Sequence, residues 1–252
     1  MSKENVWERF KSLTDARVAL GRAGGSLKTA EMLLFRRDHA LASDAVKTAL
    51  DTEHLIEQLA PLSMPAIVLH SQATDRTTYI QRPDLGRVLD DASSSYLVSL
   101  PARDYDINII LADGLSALAI AHHAWPFLQV LIPLLGAYTL APLVIVKQGR
   151  VAISDPIGQS LGSKLSVILI GERPGLSSPD SMGIYLTYHP RSGNTDEKRN
   201  CISNVRSEGL SYEYAAHKLA FLVTEALRRK LSGVQLKDTY DGQLLNYDRS
   251  KE

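Results

Sequence analysis

A carboxylate and an arginine directly follow a short apolar run, an arrangement that could hold a ligand. Residues 165–170 are apolar or small and rich in β-branched side chains, which predicts a strand buried on both faces. The run ends at Gly-Glu-Arg-Pro-Gly, residues 171–175. Ligands of open parallel sheets bind beyond the carboxyl ends of the strands. Glu172 is therefore a candidate binding residue, although solvation or a pair with Arg173 would also explain it.

Two more polar segments are predicted to be loops near the same sheet edge. One is Lys-Gln-Gly-Arg-Val, residues 147–151, and the other is Asn-Cys-Ile-Ser-Asn, residues 200–204. A lone cysteine such as Cys201 is usually a small buried hydrophobe, but its polar neighbours favour a loop. Three polar loops at one sheet edge predict a binding site.

Asp113 is a second acidic candidate. Asp-Gly-Leu-Ser at residues 113–116 ends a predicted strand and opens a predicted helix, which places an acid and backbone N–H groups at the sheet edge. A turn with a helix N-cap is the simpler interpretation. The alternative function is accordingly a self-sufficient α/β nucleotide-binding enzyme that uses Glu172 and Asp113 as its active site.

Other catalytic patterns fail on their context. Gly-Gln-Ser-Leu-Gly at 158–162 fits GxSxG, but a strand follows it where that motif needs a helix. The glycine-rich residues 21–25 lack GxGxxG spacing and predict a joint between helices. His122 and His123 are adjacent, so they should point in different directions on a helix and serve as surface or packing residues rather than as a pair of metal ligands. No catalytic or metal-binding residue is assigned.

The composition excludes several classes of protein. The 252 residues hold 28 Lys plus Arg and 28 Asp plus Glu, so no net field attracts nucleic acid or an acidic membrane. The single cysteine fits a reducing, cytoplasmic environment. The longest apolar stretch, about residues 127–135, is interrupted by Pro133 and is shorter than a membrane span. Charges in residues 6–10 argue against a signal peptide.

These candidate residues need a sheet to position them. Strands are predicted at residues 107–112, 143–147, 165–170 and 184–188, with helices at 115–121, 126–135, 156–161 and from Ser211 onward. Such alternation predicts an α/β, Rossmann-like, mainly parallel sheet with helices on both faces. A hairpin is expected at residues 67–70 and 78–81.

The first sixty residues read as a separate helical unit. Helices are expected after an Asn5 cap, over residues 27–41, and over residues 44–60 after a Ser43 cap. The prediction is a small helical N-terminal domain, 1–60, followed by the α/β domain, 61–252, with a loosely ordered tail from about residue 238.

Many short segments occur in this chain in a characteristic order. They are Arg-Val-Ala-Leu-Gly-Arg-Ala-Gly at 17–24, Arg-Pro-Asp-Leu-Gly-Arg at 82–87, Asp-Gly-Leu-Ser at 113–116, Gly-Arg-Val at 149–151, Ile-Gly and Leu-Gly at 157–162, Gly-Glu-Arg-Pro-Gly-Leu at 171–176 and Asn-Cys-Ile-Ser-Asn at 200–204. From about residue 9 to residue 234 the chain thereby resembles the small (light) subunit of ethanolamine ammonia-lyase. Each motif alone is weak, but their shared order is specific.

The resemblance implies a division of labour. In that family the large subunit is a TIM barrel that binds the amino alcohol, and the small subunit closes the adenosylcobalamin site from the other side. The family's cofactor contacts fall on Val151, Glu172 and Cys201 of this sequence. The expected function is conversion of ethanolamine to acetaldehyde and ammonia, in complex with the large subunit.

Two further expectations concern the cofactor and the location of the enzyme. The chain lacks a DxHxxG motif, because the histidines in Asp38-His39 and Asp51-Thr52-Glu53-His54 have the wrong spacing, so the cofactor is expected to bind base-on. Family members packaged in bacterial microcompartments often carry a long N-terminal extension. Here Met1 precedes the first matching helix by a few residues, so the packaging extension is not expected, and location in a microcompartment stays an open alternative to the cytoplasm.

Overall fold

The computed structural model describes residues 6–11, 13–14, 16–18, 20–101 and 103–240. The helices of this part are α1 Val6–Lys11, α2 Thr29–Lys47, α3 Thr52–Leu59, α4 Arg76–Gln81, α5 Asp91–Ser99, α6 Ala117–Leu134, α7 Ser154–Ser160 and α8 Tyr212–Arg229. The strands are β1 Ala66–His70, β2 Tyr105–Ala112, β3 Leu143–Lys147, β4 Ser163–Gly171, β5 Met182–Tyr188 and β6 Arg199–Val205.

The six strands form one mixed sheet in the order β1-β3-β2-β4-β5-β6. Strands β1, β3, β2 and β4 pair in parallel, and β5 and β6 continue the sheet antiparallel. The predicted α/β class is confirmed. The sheet is mixed, with three of its five strand pairings parallel, and the Rossmann-like designation stays a prediction. The short β4–β5 connection explains the change of direction, because parallel neighbours need a longer crossover.

Strands β2, β3 and β4 send alternate side chains into two different cores. Ile109 and Val167 point to the side covered by α3, α6 and α8, whereas Ile110 and Ile168 point to the side covered by α5 and α7. Helices therefore cover both faces of the parallel strands. This explains why β2, β3 and β4 read as continuous apolar runs.

Helix α6 is one helix where the sequence predicts two. Pro126 and Pro133 both lie inside it. By length and composition α6 could cross a membrane, but buried core helices pass the same test. Eight of its side chains are buried, and it packs against β4 and α8 as a core helix does. Packing on both sides offsets the hydrogen bonds that the prolines remove.

The N-terminal predictions are partly wrong. Helix α2 runs through Ser43, which was expected to cap the next helix. The cap of α3 is instead Asp51, whose Oδ1 accepts a hydrogen bond from the His54 N–H at 3.0 Å. The expected Asn5 cap lies outside the described residues. The domain boundary near residue 60 stays a prediction, although α3 places Leu55 and Leu59 in the main core.

The expected hairpin is wrong. Strand β1 pairs in parallel with β3, and residues 78–81 belong to helix α4. Asp75 begins α4 by accepting a hydrogen bond from the Thr78 N–H at 2.9 Å. An aspartate three residues before a short apolar stretch is a helix start signal that outweighs the alternation of that stretch.

The start of the tail packs against α8. Asp238 forms an ion pair with Lys218, at 2.5 Å between oxygen and nitrogen. The ring of Tyr240 lies 5.6 Å from the rings of Tyr214 and Phe221. Residues 241–252 lie outside the described part of the chain, so the expected loose tail stays a prediction.

Candidate cofactor-contacting site

Val151 begins a tight turn that Asp113 holds in place. Strand β3 ends at Lys147, and Gln148 then adopts a left-handed backbone with φ of 56°. The Asp113 carboxylate accepts hydrogen bonds from the N–H groups of Gln148 and Gly149, at 3.0 and 3.2 Å. Val151 follows as the first residue of a 3₁₀ turn that leads into α7. The position of Val151 thus depends on the end of β2.

Tyr79 of α4 contacts the same turn and stabilises it. Its hydroxyl donates to the Gly149 carbonyl at 3.0 Å, and the Arg150 guanidinium lies 4.1 Å from the centre of its ring. A second guanidinium, from Arg76, lies 4.8 Å from that centre. Burial raises the pKa of Tyr79, so the hydroxyl stays protonated as a donor. The Tyr79 hydrogen bond and the Arg150 cation–π contact fix residues 149–150, and Arg76 packs on the same ring.

Glu172 follows β4 at a point of very close backbone approach. A methyl group at Gly171 would overlap the Ser116 carbonyl oxygen, so only glycine fits there. The Glu172 N–H donates to the Ser181 carbonyl at 2.9 Å, and its Oε2 accepts from the Asn204 N–H at 3.2 Å. None of the ion pairs among the described residues joins Glu172 to Arg173. The carboxylate is half-buried and faces the end of β6.

Cys201 lies on a strand, which corrects the loop predicted for residues 200–204. β6 is an edge strand that pairs antiparallel with β5 and places Cys201 beside Tyr185. Ile202 points to the core, whereas Cys201 is exposed with its Sγ 3.3 Å from the Ser203 Oγ. The alternation of apolar and polar residues is typical of a strand with one solvated face.

Two adjoining cavities bring the three predicted residues onto one surface. Val151 and Glu172 line a cavity of about 150 Å³, and Val151 and Cys201 line a second cavity of about 350 Å³. Tyr185 and Arg150 border both. Burial raises the pKa of Tyr185, so its hydroxyl remains a hydrogen-bond donor at neutral pH. We call this surface the Tyr185 face.

Arg199 and Asp155 form the buried floor of the Tyr185 face. The guanidinium donates to both carboxylate oxygens, at 3.0 and 2.6 Å, and each side chain is 2% exposed. Arg199 also donates to the Thr187 hydroxyl at 3.1 Å. Because Asp155 lies in α7, just after the Val151 turn, this pair ties that turn to the strand that carries Cys201.

The Asp113 carboxylate is occupied within the protein. Besides its two backbone hydrogen bonds, Asp113 lies 3.7 Å from a nitrogen of Arg76 and is 2% exposed. Burial raises its pKa, and the backbone hydrogen bonds and Arg76 oppose that rise. Asp113 is therefore a loop anchor that reaches across to the β3 turn, rather than the N-cap of α6, which is Ser116.

Sequence reasoning missed Tyr185, Arg150 and Tyr79. Arg150 lies inside a segment that was singled out, but its contact with the Tyr79 ring depends on helix α4. For Tyr185 a signal exists, because in β5 it alternates with the core residues Ile184 and Leu186. Because successive side chains of a strand point to opposite faces, a large residue between two core residues lies on the other face of the sheet.

The two adjacent histidines meet the same carboxylate, contrary to the expectation that they diverge. His122 Nδ1 lies 3.1 Å and His123 Nε2 lies 3.4 Å from Asp180 Oδ2. Asp180 belongs to the connection between β4 and β5, which folds over the start of α6. His122 is exposed and His123 is buried.

Comparison with known proteins identifies the family of this chain. The family model of the ethanolamine ammonia-lyase light chain (EutC) matches residues 4–237. The chain is 52% identical to an ethanolamine ammonia-lyase small subunit of Pseudomonas fluorescens over 99% of its length and 93% of the relative's. It is 50% identical to that of Xanthomonas campestris pv. campestris, over 98% of this chain and 93% of the other. It is 53% identical to that of Azotobacter vinelandii, over 93% and 89%. This chain belongs to the family of ethanolamine ammonia-lyase small subunits.

Proposed function

We propose that the Tyr185 face forms one wall of a base-on adenosylcobalamin site and that the large subunit supplies the rest. The complex would convert ethanolamine to acetaldehyde and ammonia. The observation that carries this proposal is the grouping of Val151, Glu172 and Cys201 around Tyr185, although they come from three separate segments. When bound, adenosylcobalamin supplies the radical chemistry, and the protein supplies position and electrostatics.

The chemistry of this surface suits the rim of a corrinoid. The Val151 and Cys201 side chains can pack against apolar ring or nucleotide faces. A carboxylate has about four acceptor sites, so the bond from Asn204 to Glu172 leaves capacity for corrinoid amide N–H groups. The Tyr185 hydroxyl can donate to amide carbonyl groups. The Tyr185 face therefore combines a hydrogen-bond donor, a hydrogen-bond acceptor and an apolar surface.

The size of the cavities supports a shared site. Pockets that enclose drug-sized ligands have volumes of roughly 300–1,000 Å³, and cobalamin is larger than such ligands. The two cavities of the Tyr185 face measure about 150 and 350 Å³. They can therefore receive only part of the cofactor, and a second chain has to cover the remainder.

Helix α2 supports the need for a partner chain. Only Ala45 of its 19 residues is buried. Leu33, Leu34 and Phe35 are exposed by 59%, 44% and 39%. A cavity of about 520 Å³ beside α2 is also lined by Leu176, which follows the Glu172 loop. We assign the exposed apolar segment of α2, residues 32–35, to the contact with the large subunit, because exposed apolar patches of this kind mark protein interfaces.

The alternative of a self-sufficient enzyme at Glu172 and Asp113 receives less support. Both Asp113 oxygens accept backbone hydrogen bonds, and Arg76 faces the same carboxylate. A general acid or base needs a proton-accepting atom within reach of a substrate. The Asp113 carboxylate is buried and committed to holding the Val151 turn, so the chain is proposed to contribute no catalytic residue.

Ammonia release tests the division of labour. The purified chain is mixed with ethanolamine and adenosylcobalamin, with and without the large subunit. Ammonia is expected only from the mixture of both subunits. Turnover by this chain alone would contradict the proposal and favour the self-sufficient enzyme.

Co-purification tests the assignment of α2. Leu34→Glu is expected to weaken capture of the large subunit, because a charge would be buried at the interface. Val98→Glu on α5 is the matched control, since Val98 is also an exposed aliphatic residue. Equal capture by the two variants would reject α2 as the contact.

A further inference from the structure

His122, His123 and Asp180 form a compact group of ligand atoms outside the Tyr185 face. Among the described residues, this is the one group of three or more His, Cys, Asp or Glu side chains whose ligand atoms all lie within 4.8 Å of one another. Helix α6 provides the histidines, and the β4–β5 connection provides the aspartate. The same connection begins at Glu172 and is held to α6 by a hydrogen bond of 2.8 Å from the Ser116 hydroxyl to the Pro179 carbonyl.

The spacing of these atoms fits a tetrahedral metal ion. Zinc binds histidine nitrogen and carboxylate oxygen at 2.0–2.2 Å, which puts neighbouring ligand atoms of a tetrahedron about 3.3 Å apart. The distances from Asp180 Oδ2 are 3.1 Å to His122 Nδ1 and 3.4 Å to His123 Nε2. All three atoms lie within 4.8 Å of one another, so rotation of the side chains is enough to place one ion among them.

The surroundings of His123 point to a cation as well. Its side chain is buried, and its Nε2 has no hydrogen-bond partner of adequate geometry. Its Nδ1 lies 2.8 Å from the Tyr212 hydroxyl. If Nδ1 donates its proton to Tyr212, the Nε2 lone pair faces the Asp180 carboxylate, and two electron-rich atoms stay together only with a positive charge between them. Metal-bound histidines commonly donate their second N–H in this way.

Metal binding needs the neutral form of an imidazole, because only that form offers a lone pair to the ion. His122 is exposed, so solvent can reach a fourth coordination position.

We propose that His122, His123 and Asp180 bind one divalent transition-metal ion of the zinc type, with its fourth position open to water. Two imidazoles and one carboxylate favour such an ion over Mg²⁺ or Ca²⁺, which prefer all-oxygen ligands. The ion has a structural role: it fastens the connection that carries Glu172 to helix α6. A proton shared between His123 and Asp180 is the competing explanation.

Metal titration of the full-length, untagged chain tests the site. After removal of metals with a chelator, the chain is titrated with Zn²⁺ by calorimetry and with Co²⁺ by visible absorption, which is intense for tetrahedral Co²⁺. One equivalent of each ion is expected to bind, and Zn²⁺ is expected to raise the melting temperature. No Zn²⁺ binding at stoichiometric concentration, or a Co²⁺ spectrum without tetrahedral bands, would overturn the proposal in favour of the shared proton.

Variants locate the bound ion. His122→Ala and Asp180→Asn are each expected to weaken Zn²⁺ binding by at least about tenfold. His54→Ala is the matched control, because His54 is also an exposed helix histidine next to a carboxylate. Circular dichroism checks that each variant folds, and the exposed His122 tolerates truncation best. Unchanged binding in His122→Ala and Asp180→Asn, or an equal loss in His54→Ala, would reject this site.

Discussion

Arg199 of the edge strand β6 and Asp155 of helix α7 form a two-pronged ion pair in the interior, with distances of 3.0 and 2.6 Å. Each side chain is 2% exposed. The pair joins the segment that carries Cys201 to the helix that follows Val151. The shape of the Tyr185 face therefore depends on a contact beneath it.

Removing one member of this pair should destabilise the protein strongly. Arg199→Met leaves the Asp155 carboxylate buried and unpaired, which costs about 3–5 kcal/mol in the free energy of unfolding. Arg228→Met is the control, because Arg228 pairs with Glu225 at 2.6 Å on the surface, where solvent screens the charges and the loss should be much smaller. Urea unfolding measures both. Adding Asp155→Leu to Arg199→Met should recover part of the lost stability, because no buried charge is then left unpaired. Equal losses in Arg199→Met and Arg228→Met would contradict the prediction that the buried pair matters more.

Glu172→Gln should weaken coenzyme binding in the complex with the large subunit. Loss of the charge on a hydrogen-bond acceptor costs about 1–3 kcal/mol, or roughly 5- to 150-fold in the dissociation constant. The Michaelis constant for ethanolamine should change little, because the proposed contact is to the cofactor. Glu57→Gln, at an exposed position on α3, is the control. An unchanged coenzyme dissociation constant would refute the contact.

Coenzyme should protect Cys201 from thiol reagents. Cys201 is the single cysteine of the chain and is exposed. In the assembled complex, coenzyme at 100 times its dissociation constant should slow labelling of this thiol about 100-fold, if only the free form reacts. Peptide mass spectrometry measures the rate at residue 201 alone. A rate that coenzyme leaves unchanged would mean that Cys201 lies away from the cofactor.

The base-on state should be visible by electron paramagnetic resonance. The complex is loaded with cob(II)alamin, whose unpaired electron couples to an axial nitrogen. Nitrogen splitting from dimethylbenzimidazole is expected, and it should persist when both protein chains carry nitrogen-15. A splitting that changes with protein labelling would assign the axial ligand to a histidine.

The sequence was most informative where strands are buried on both faces. Strand β3 matches the predicted residues 143–147, and β2 and β4 differ only at their ends. Strand β6 was missed because its exposed residues, Cys201, Ser203 and Asn204, are of types that are common in loops. Residues 78–81 show the reverse error, since four residues fit either a strand or one helical turn and Asp75 decides between them.

Some residues of the candidate site were predicted from the sequence, and others are placed there only by the structure. Val151, Glu172 and Cys201 were found through short motifs and family resemblance, and the structure brings them to one surface. The alternation in β5 indicates that Tyr185 faces away from the core residues Ile184 and Leu186, but its place beside Cys201 depends on which strand pairs with β5. The meeting of His122 and His123 at Asp180 depends on the path of the β4–β5 connection. Such long-range arrangements leave no local pattern.

The shallowness of the Tyr185 face has a thermodynamic consequence under the proposed function. A chain that contacts only one side of the coenzyme binds it weakly when alone. Coenzyme binding and subunit association are therefore linked by one coupling free energy. That coupling is reciprocal: the coenzyme tightens the subunits by the same factor by which the subunits tighten the coenzyme. Dilution of the enzyme would then release its cofactor cooperatively, by mass action.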